Sequence, residues 1–198
     1  MIMRLVLGKI LVKLLFMEGR IMKRTILIQL VIVCSVISSI AQTNYYETTR
    51  TLVENGYTYQ CDVSVAKMVT LYNKANQYTY VGQSVSGGTL PPMGYMPACI
   101  EDDNWTKPRC YEIVERAFSA EQASRMKGRG ITIAMYISPS TGKVMEVNFQ
   151  FTTFNPAATI PLSVYRKIET DLKANIWFVP TEFGKKLNYI MLWWMYNF

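Results

Sequence analysis

The chain contains no histidine. That removes Ser–His and Cys–His nucleophilic arrangements and histidine-held metals together. The densest carboxylate run is Glu101-Asp102-Asp103. A calcium loop would need oxygen ligands at alternating positions, which this run lacks, so it reads as a solvated acidic loop. Thr141-Gly142-Lys143 shares residue types with a phosphate loop but not the longer glycine-rich run ending Gly-Lys-Ser/Thr. It reads as a hairpin turn. No Cys-x-x-Cys spacing suggests a metal site. These patterns predict a protein that is not an enzyme and takes no cofactor or metal.

The remaining chemistry belongs to thiols, and its meaning depends on compartment. Lys23 and Arg24 precede a nearly unbroken apolar run from Thr25 to Ile40. Ser39 and Ala41 then place small residues where signal peptidase needs them, before polar Gln42-Thr43-Asn44. The run is shorter than the roughly 20 apolar residues of a stable membrane span. Residues 22–41 therefore read as a cleavable export signal, so that the membrane is met only in transit. Residues 1–21 read as an upstream extension, with Met22 the start. A lipoprotein reading through Cys34 fails because Val33 occupies the position that requires a small residue. The expected location is periplasmic, or on the outer surface and beyond.

This partition alters the charge argument. Of 21 basic and 14 acidic residues, six basic and one acidic precede residue 42, leaving 15 against 13. The apparent net charge of +7 falls to about +2, so nucleic acid is not an expected partner. An oxidising compartment makes cysteine pairing plausible. Cys99 and Cys110 bracket a polar loop and suit a disulfide staple, with Cys61 left as a buried thiol.

The elements follow from period and punctuation. Thr48–Glu54 and Tyr57–Ser64 flank Asn55-Gly56, the pair that a type I′ turn demands. Lys67–Asn73 and Tyr78–Gln83 read as two more strands, giving a four-strand antiparallel meander. The stretch 82–108 is a long irregular connection, either functional or a lobe boundary. Tyr111, Val114 and Phe118 suggest a short helix, and Ser119 to Gln122 has capping-box spacing for another that Gly128 ends. Ile131–Ile137 and Val144–Phe151 read as strands. A helix follows Pro161 to about Asn175, with Leu162, Tyr165, Ile168 and Leu172 on one stripe. Leu187–Phe198 is the last strand. The expected class is α+β, with 42–110 holding the meander and stapled loop and 111–198 the rest, or 42–198 forming one domain.

From Lys127 onward the order strand–hairpin–strand–helix–strand resembles the TonB C-terminal domain. Lys127-Gly128-Arg129-Gly130-Ile131 to Ile137 is similar to that family's first strand. Thr141-Gly142-Lys143-Val144-Met145-Glu146-Val147 is similar to its turn and second strand. Ile176-Trp177-Phe178-Val179-Pro180 resembles its "W-x-F-x-P" run, with Ile176 in place of the usual Trp, and Gly184-Lys185-Lys186 parallels a "G-k-P" turn. The resemblance covers about the last 70 residues. The whole chain also looks like small secreted Bacteroides-type proteins of unknown function. The resemblance implies binding by adding a peptide strand to a sheet edge. A cleaved chain could bind in this way but not transmit force from the inner membrane. The implied partner is a protein or peptide of the cell envelope, met by Tyr189, Met191, Trp193 and Met195 on one face of the last strand. Ile190, Leu192, Trp194 and Tyr196 line the other.

Three competing readings accompany this one. Both faces of the last strand can be core, as in doubly covered strands. The terminal alternation also resembles the end of a small outer-membrane β-barrel, although Trp193 and Met195 are apolar where a lumen should be polar. A secreted glycan-binding module could use Tyr78 or Tyr80.

Overall fold

Asn55 and Gly56 take φ values of 48° and 80°, the two left-handed positions of a type I′ turn. They join β1 (Arg50–Glu54) to β2 (Tyr57–Val63), and Glu54 stands across from Tyr57. β3 (Met68–Asn73) returns antiparallel to β2. The computed structural model describes residues 43–92 and 94–198; residues 1–21 and 22–41, expected to be an upstream extension and an export signal, lie outside the described residues.

The fourth meander strand expected at Tyr78–Gln83 does not form, and those residues run as turns and irregular chain. Side chains hold them instead of a ladder. The Glu146 carboxylate accepts from the backbone N–H of Gln77 at 2.6 Å and of Tyr78 at 2.9 Å. The Tyr78 ring packs on Tyr136 and Tyr189. A period-2 pattern of aromatics here reflects packing onto a sheet, not membership of one.

The next helix also departs from expectation. α1 (Thr106–Ala117) begins at Thr106 rather than Tyr111 and takes in Pro108 and Cys110. Asp103 accepts from the N–H of Trp105 at 3.0 Å and of Thr106 at 2.8 Å. One acid of this exposed run therefore also satisfies the N–H of the first helical residue, one of the donors that every helix start leaves open. α2 (Ala120–Met126) opens on its capping box, Ser119 and Gln122 bonding reciprocally. Gly128 follows it at φ 72°.

β4 (Gly130–Ile137) and β5 (Val144–Thr152) form the expected hairpin. Gly142 in its turn has φ 69°, and a Cβ there would meet the Phe178 carbonyl oxygen at 1.8 Å. The Thr-Gly-Lys run thus serves as a turn pressed against another segment. α3 (Leu162–Asn175) starts after Pro161 and buries Leu162, Tyr165, Ile168 and Leu172. β6 (Ile190–Asn197) closes the chain.

All six strands form one antiparallel sheet in the order β1-β2-β3-β5-β4-β6. Because β3 pairs with β5, the meander and the C-terminal strands share a single ladder, and Asn44–Phe198 is one compact unit. The sheet is open, with β1 and β6 at opposite edges, so no closed barrel exists among the described residues. Nor is any described helix long and apolar enough to cross a membrane.

Register sorts the side chains into two faces. Cys61, Leu71, Phe149, Ile133 and Trp194 form one row across five strands. α3 packs on β5 and α1 on α3, so this face is covered. Gln60, Tyr72, Asn148, Ala134 and Trp193 form the neighbouring row on the other face, followed by Asp62, Thr70, Gln150, Thr132 and Met195. No described helix packs on that face.

A charge lies inside the covered face. Glu169, fully buried on α3, accepts from Tyr59 Oη. It also meets Arg166 at 3.2 Å and Lys173 at 3.5 Å. Burial and the Glu169 charge both raise the Tyr59 hydroxyl far above its ordinary value, so it remains a neutral donor.

Candidate functional site

Among the described residues, β6 borders β4 on one side and no strand on the other. Edge residues leave backbone N–H and C=O groups pointing outward, a template for another strand. On the open face Met191 stands across from Tyr136, Trp193 from Ala134 and Met195 from Thr132. These three side chains are 41%, 67% and 55% exposed. Ala134 offers only a methyl beside the Trp193 indole, which stands clear of its neighbour. The reading in which both faces of the last strand are core is therefore corrected.

Tyr189 does not join them. It lies just before β6, is 3% exposed, and packs with Ala134, Tyr136 and Tyr78 in a small second core. Its hydroxyl donates to the Val81 carbonyl at 2.6 Å. Burial, with the Glu146 charge behind it, raises that hydroxyl's pKa. Tyr189 fastens the returning loop onto the sheet, which the alternation of the terminal strand could not reveal.

On the covered side of the same edge, a cavity of about 220 Å³ opens between β6 and α1. Tyr111, Met135, Phe178, Leu192 and Trp194 line it. The Trp194 Nε1–H is buried without an acceptor among the described residues. Such an orphaned donor costs about 1–3 kcal/mol. Nearby, the rings of Trp105 and Trp177 lie 4.4 Å apart, and Trp177 is exposed. Neither pairing was visible before α1 and the segment after α3 were brought together.

The Cys99–Cys110 staple is not formed: Cys61, Cys99 and Cys110 are all free thiols. Cys110 sits on the buried face of α1, where burial and the Asp103 charge push its thiol up to about 12. Burial, partly offset by Arg50, pushes Cys61 up to about 11. The backbone carbonyl of Cys99 is held instead by the Thr181 N–H at 3.1 Å. Neither Cys61 nor Cys110 is a thiolate near neutral pH. The helix that absorbed Cys110 gave it a packing role the loop reading could not foresee.

A polar cleft occupies another part of the open face, bounded by Gln60, Asp62, Tyr72, Lys74 and the loop through Tyr80. Of the two tyrosines singled out for glycans, Tyr78 is committed to the second core, whereas Tyr80 stands 69% exposed at this cleft. No cluster of three or more His, Cys, Asp or Glu residues able to hold a metal occurs among the described residues.

These features define a mixed α/β protein built on one antiparallel sheet with a covered face, an open face and a bare, apolar edge. The chain belongs to a family described as a domain of unknown function (DUF5043), whose model matches residues 42–194. It is similar to a DUF5043 family protein from Bacteroides uniformis ATCC 8492 known from a crystal structure. The two are 44% identical, with a TM-score of 0.73 over 78% of this chain and 88% of that one. No curated protein matches. The family shown is thus DUF5043, and the likeness to the TonB C-terminal domain does not carry the assignment.

Proposed function

We propose that this is an exported, non-enzymatic binding module that takes up an extended segment of a cell-envelope protein at the β6 edge. One observation carries the reading: the outer edge of β6 is flanked by apolar side chains on both faces of the strand. Met191, Trp193 and Met195 stand exposed on one side, and the Leu192–Trp194 cavity lies on the other. A strand added there would gain main-chain hydrogen bonds from the edge and side-chain contacts from both faces. The orphaned Trp194 Nε1–H offers a donor for an incoming carbonyl. The TonB-like part of the reading is supported by chain order, since β4, β5, α3 and β6 succeed one another and β6 lies beside β4. The absence of histidine supports the non-enzymatic part.

Two measurements test it. Fractionation of a tagged full chain, with the mass of its mature N-terminus, should find cleavage after Ala41 and recovery in a soluble envelope fraction. A photo-crosslinking residue at position 193 should yield a discrete envelope-protein adduct that the same residue at exposed Val53, on β1, does not. An intact N-terminus would refute export, and equal labelling from both edges would refute the docking edge.

A further inference from the structure

We propose that the cleft on the open face, between the β2–β3 strands and the 74–81 loop, is a binding site for a neutral carbohydrate. It is separate from the β6 edge and does not depend on it. Its volume is about 360 Å³, toward the small end of the 300–1,000 Å³ usual for ligand pockets. That suits one sugar ring or a chain end.

The lining specifies chemistry more than size. Asp62 on β2 accepts from Tyr80 Oη at 2.7 Å, Gln60 Nε2 at 2.8 Å and Tyr72 Oη at 2.9 Å. Burial works to raise the Asp62 carboxyl, but these three hydrogen bonds outweigh it and hold the pKa below the ordinary value. The group is therefore a carboxylate at neutral pH. A carboxylate has about four lone-pair sites, so three donors leave it room to accept from a ligand hydroxyl. Its contacts also fix the rings: Tyr80 and Tyr72 stand edge to face at 5.8 Å and 90°. The Tyr80 hydroxyl is tethered, yet its ring is largely bare, a rigid apolar plate beside an array of polar groups.

The rest of the array is unspent. Lys74 Nζ and the Gln77 side-chain amide make no hydrogen bond or ion pair among the described residues, although both line the cleft. Thr79 Oγ1, also in the lining, is buried with no hydrogen-bond partner among the described residues. A buried hydroxyl left unpaired is destabilising, and a ligand hydroxyl would pair it. An apolar ligand would strand all of these groups. A strongly anionic one would meet the Asp62 carboxylate, and a cationic one Lys74. A neutral ligand bearing several hydroxyls, with an apolar C–H face to lay on Tyr80, satisfies every side of the cleft.

The experiment applies the purified full chain to an array of neutral, uronic-acid and sulfated glycans, with titration calorimetry on any glycan retained. The expected result is retention of one or more neutral glycans. Tyr80→Ala should weaken binding at least tenfold, and Gln77→Ala, whose side chain supports nothing in the fold, several-fold. Trp193→Ala should leave glycan binding unchanged even where it abolishes crosslinking at the β6 edge, which separates the two sites. Retention of no glycan would overturn the proposal. So would unchanged affinity in both Tyr80→Ala and Gln77→Ala, and so would retention confined to sulfated or uronic glycans. If Tyr80→Ala fails to fold, Gln77→Ala alone decides.

Discussion

The two faces of this sheet are made by the same strands, yet they follow different rules. On the covered face the row Cys61, Leu71, Phe149, Ile133 is wholly buried, and the buried carboxylate packed over it, Glu169 of α3, is met by a phenol and two cations. On the open face the adjacent rows mix amides, hydroxyls and one carboxylate on β2, β3 and β5 with bare Trp193 and Met195 on β6. Even there, Glu146 and Tyr189 build a second, smaller core by holding the 74–83 loop down. The difference teaches where selection for stability ends: packing governs the covered face, while the open face leaves polar and apolar groups unsatisfied in two separate places.

The sharpest way to break this contrast is Phe149→Ala. Phe149 is fully buried against Tyr165 at 4.9 Å, so its truncation should cost about 3–5 kcal/mol in urea unfolding. Glu169→Ala should rank second. Breaking a buried ion pair costs about 3–5 kcal/mol, but Arg166 and Lys173 are over a third exposed and can turn to water, which reduces the expected loss to about 2 kcal/mol. Glu146→Ala should cost about 1 kcal/mol and, more tellingly, speed hydrogen exchange at the Gln77 and Tyr78 amides while leaving β4 and β5 amides protected. Trp193→Ala should change stability by no more than about 0.5 kcal/mol. A loss there as large as that at Phe149 would erase the distinction between the faces.

Much of the local structure was legible because short-range chemistry specifies it. Asn55-Gly56 imposed its turn, Ser119 and Gln122 their capping box, and Pro161 the start of α3. Errors arose where a distant partner decided the outcome. Tyr78–Gln83 alternates like a strand, but its aromatics answer to Tyr136 and Tyr189 across the sheet, and its backbone answers to Glu146. Glu101-Asp102-Asp103 is exposed, as its composition suggests, but Asp103 also accepts from the first N–H of α1, the helix that takes Cys110 out of a loop and into the core. That Met191, Trp193 and Met195 share one face was readable from alternation; their exposure, and the burial of Tyr189 one residue outside β6, were not.

By itself, the sequence determined the α+β class, the two hairpin turns, the stripe of α3 and the lack of histidine chemistry, because these depend on neighbours within a few residues. Only tertiary structure decided that β3 joins β5 into one open sheet, that β6 ends at a bare edge, and that Asp62, Tyr72, Tyr80 and Thr79 surround one cleft. Those outcomes depend on which strand lies beside which, and strand order is settled by burying whole faces against helices, a free energy summed over the molecule rather than written in any one segment.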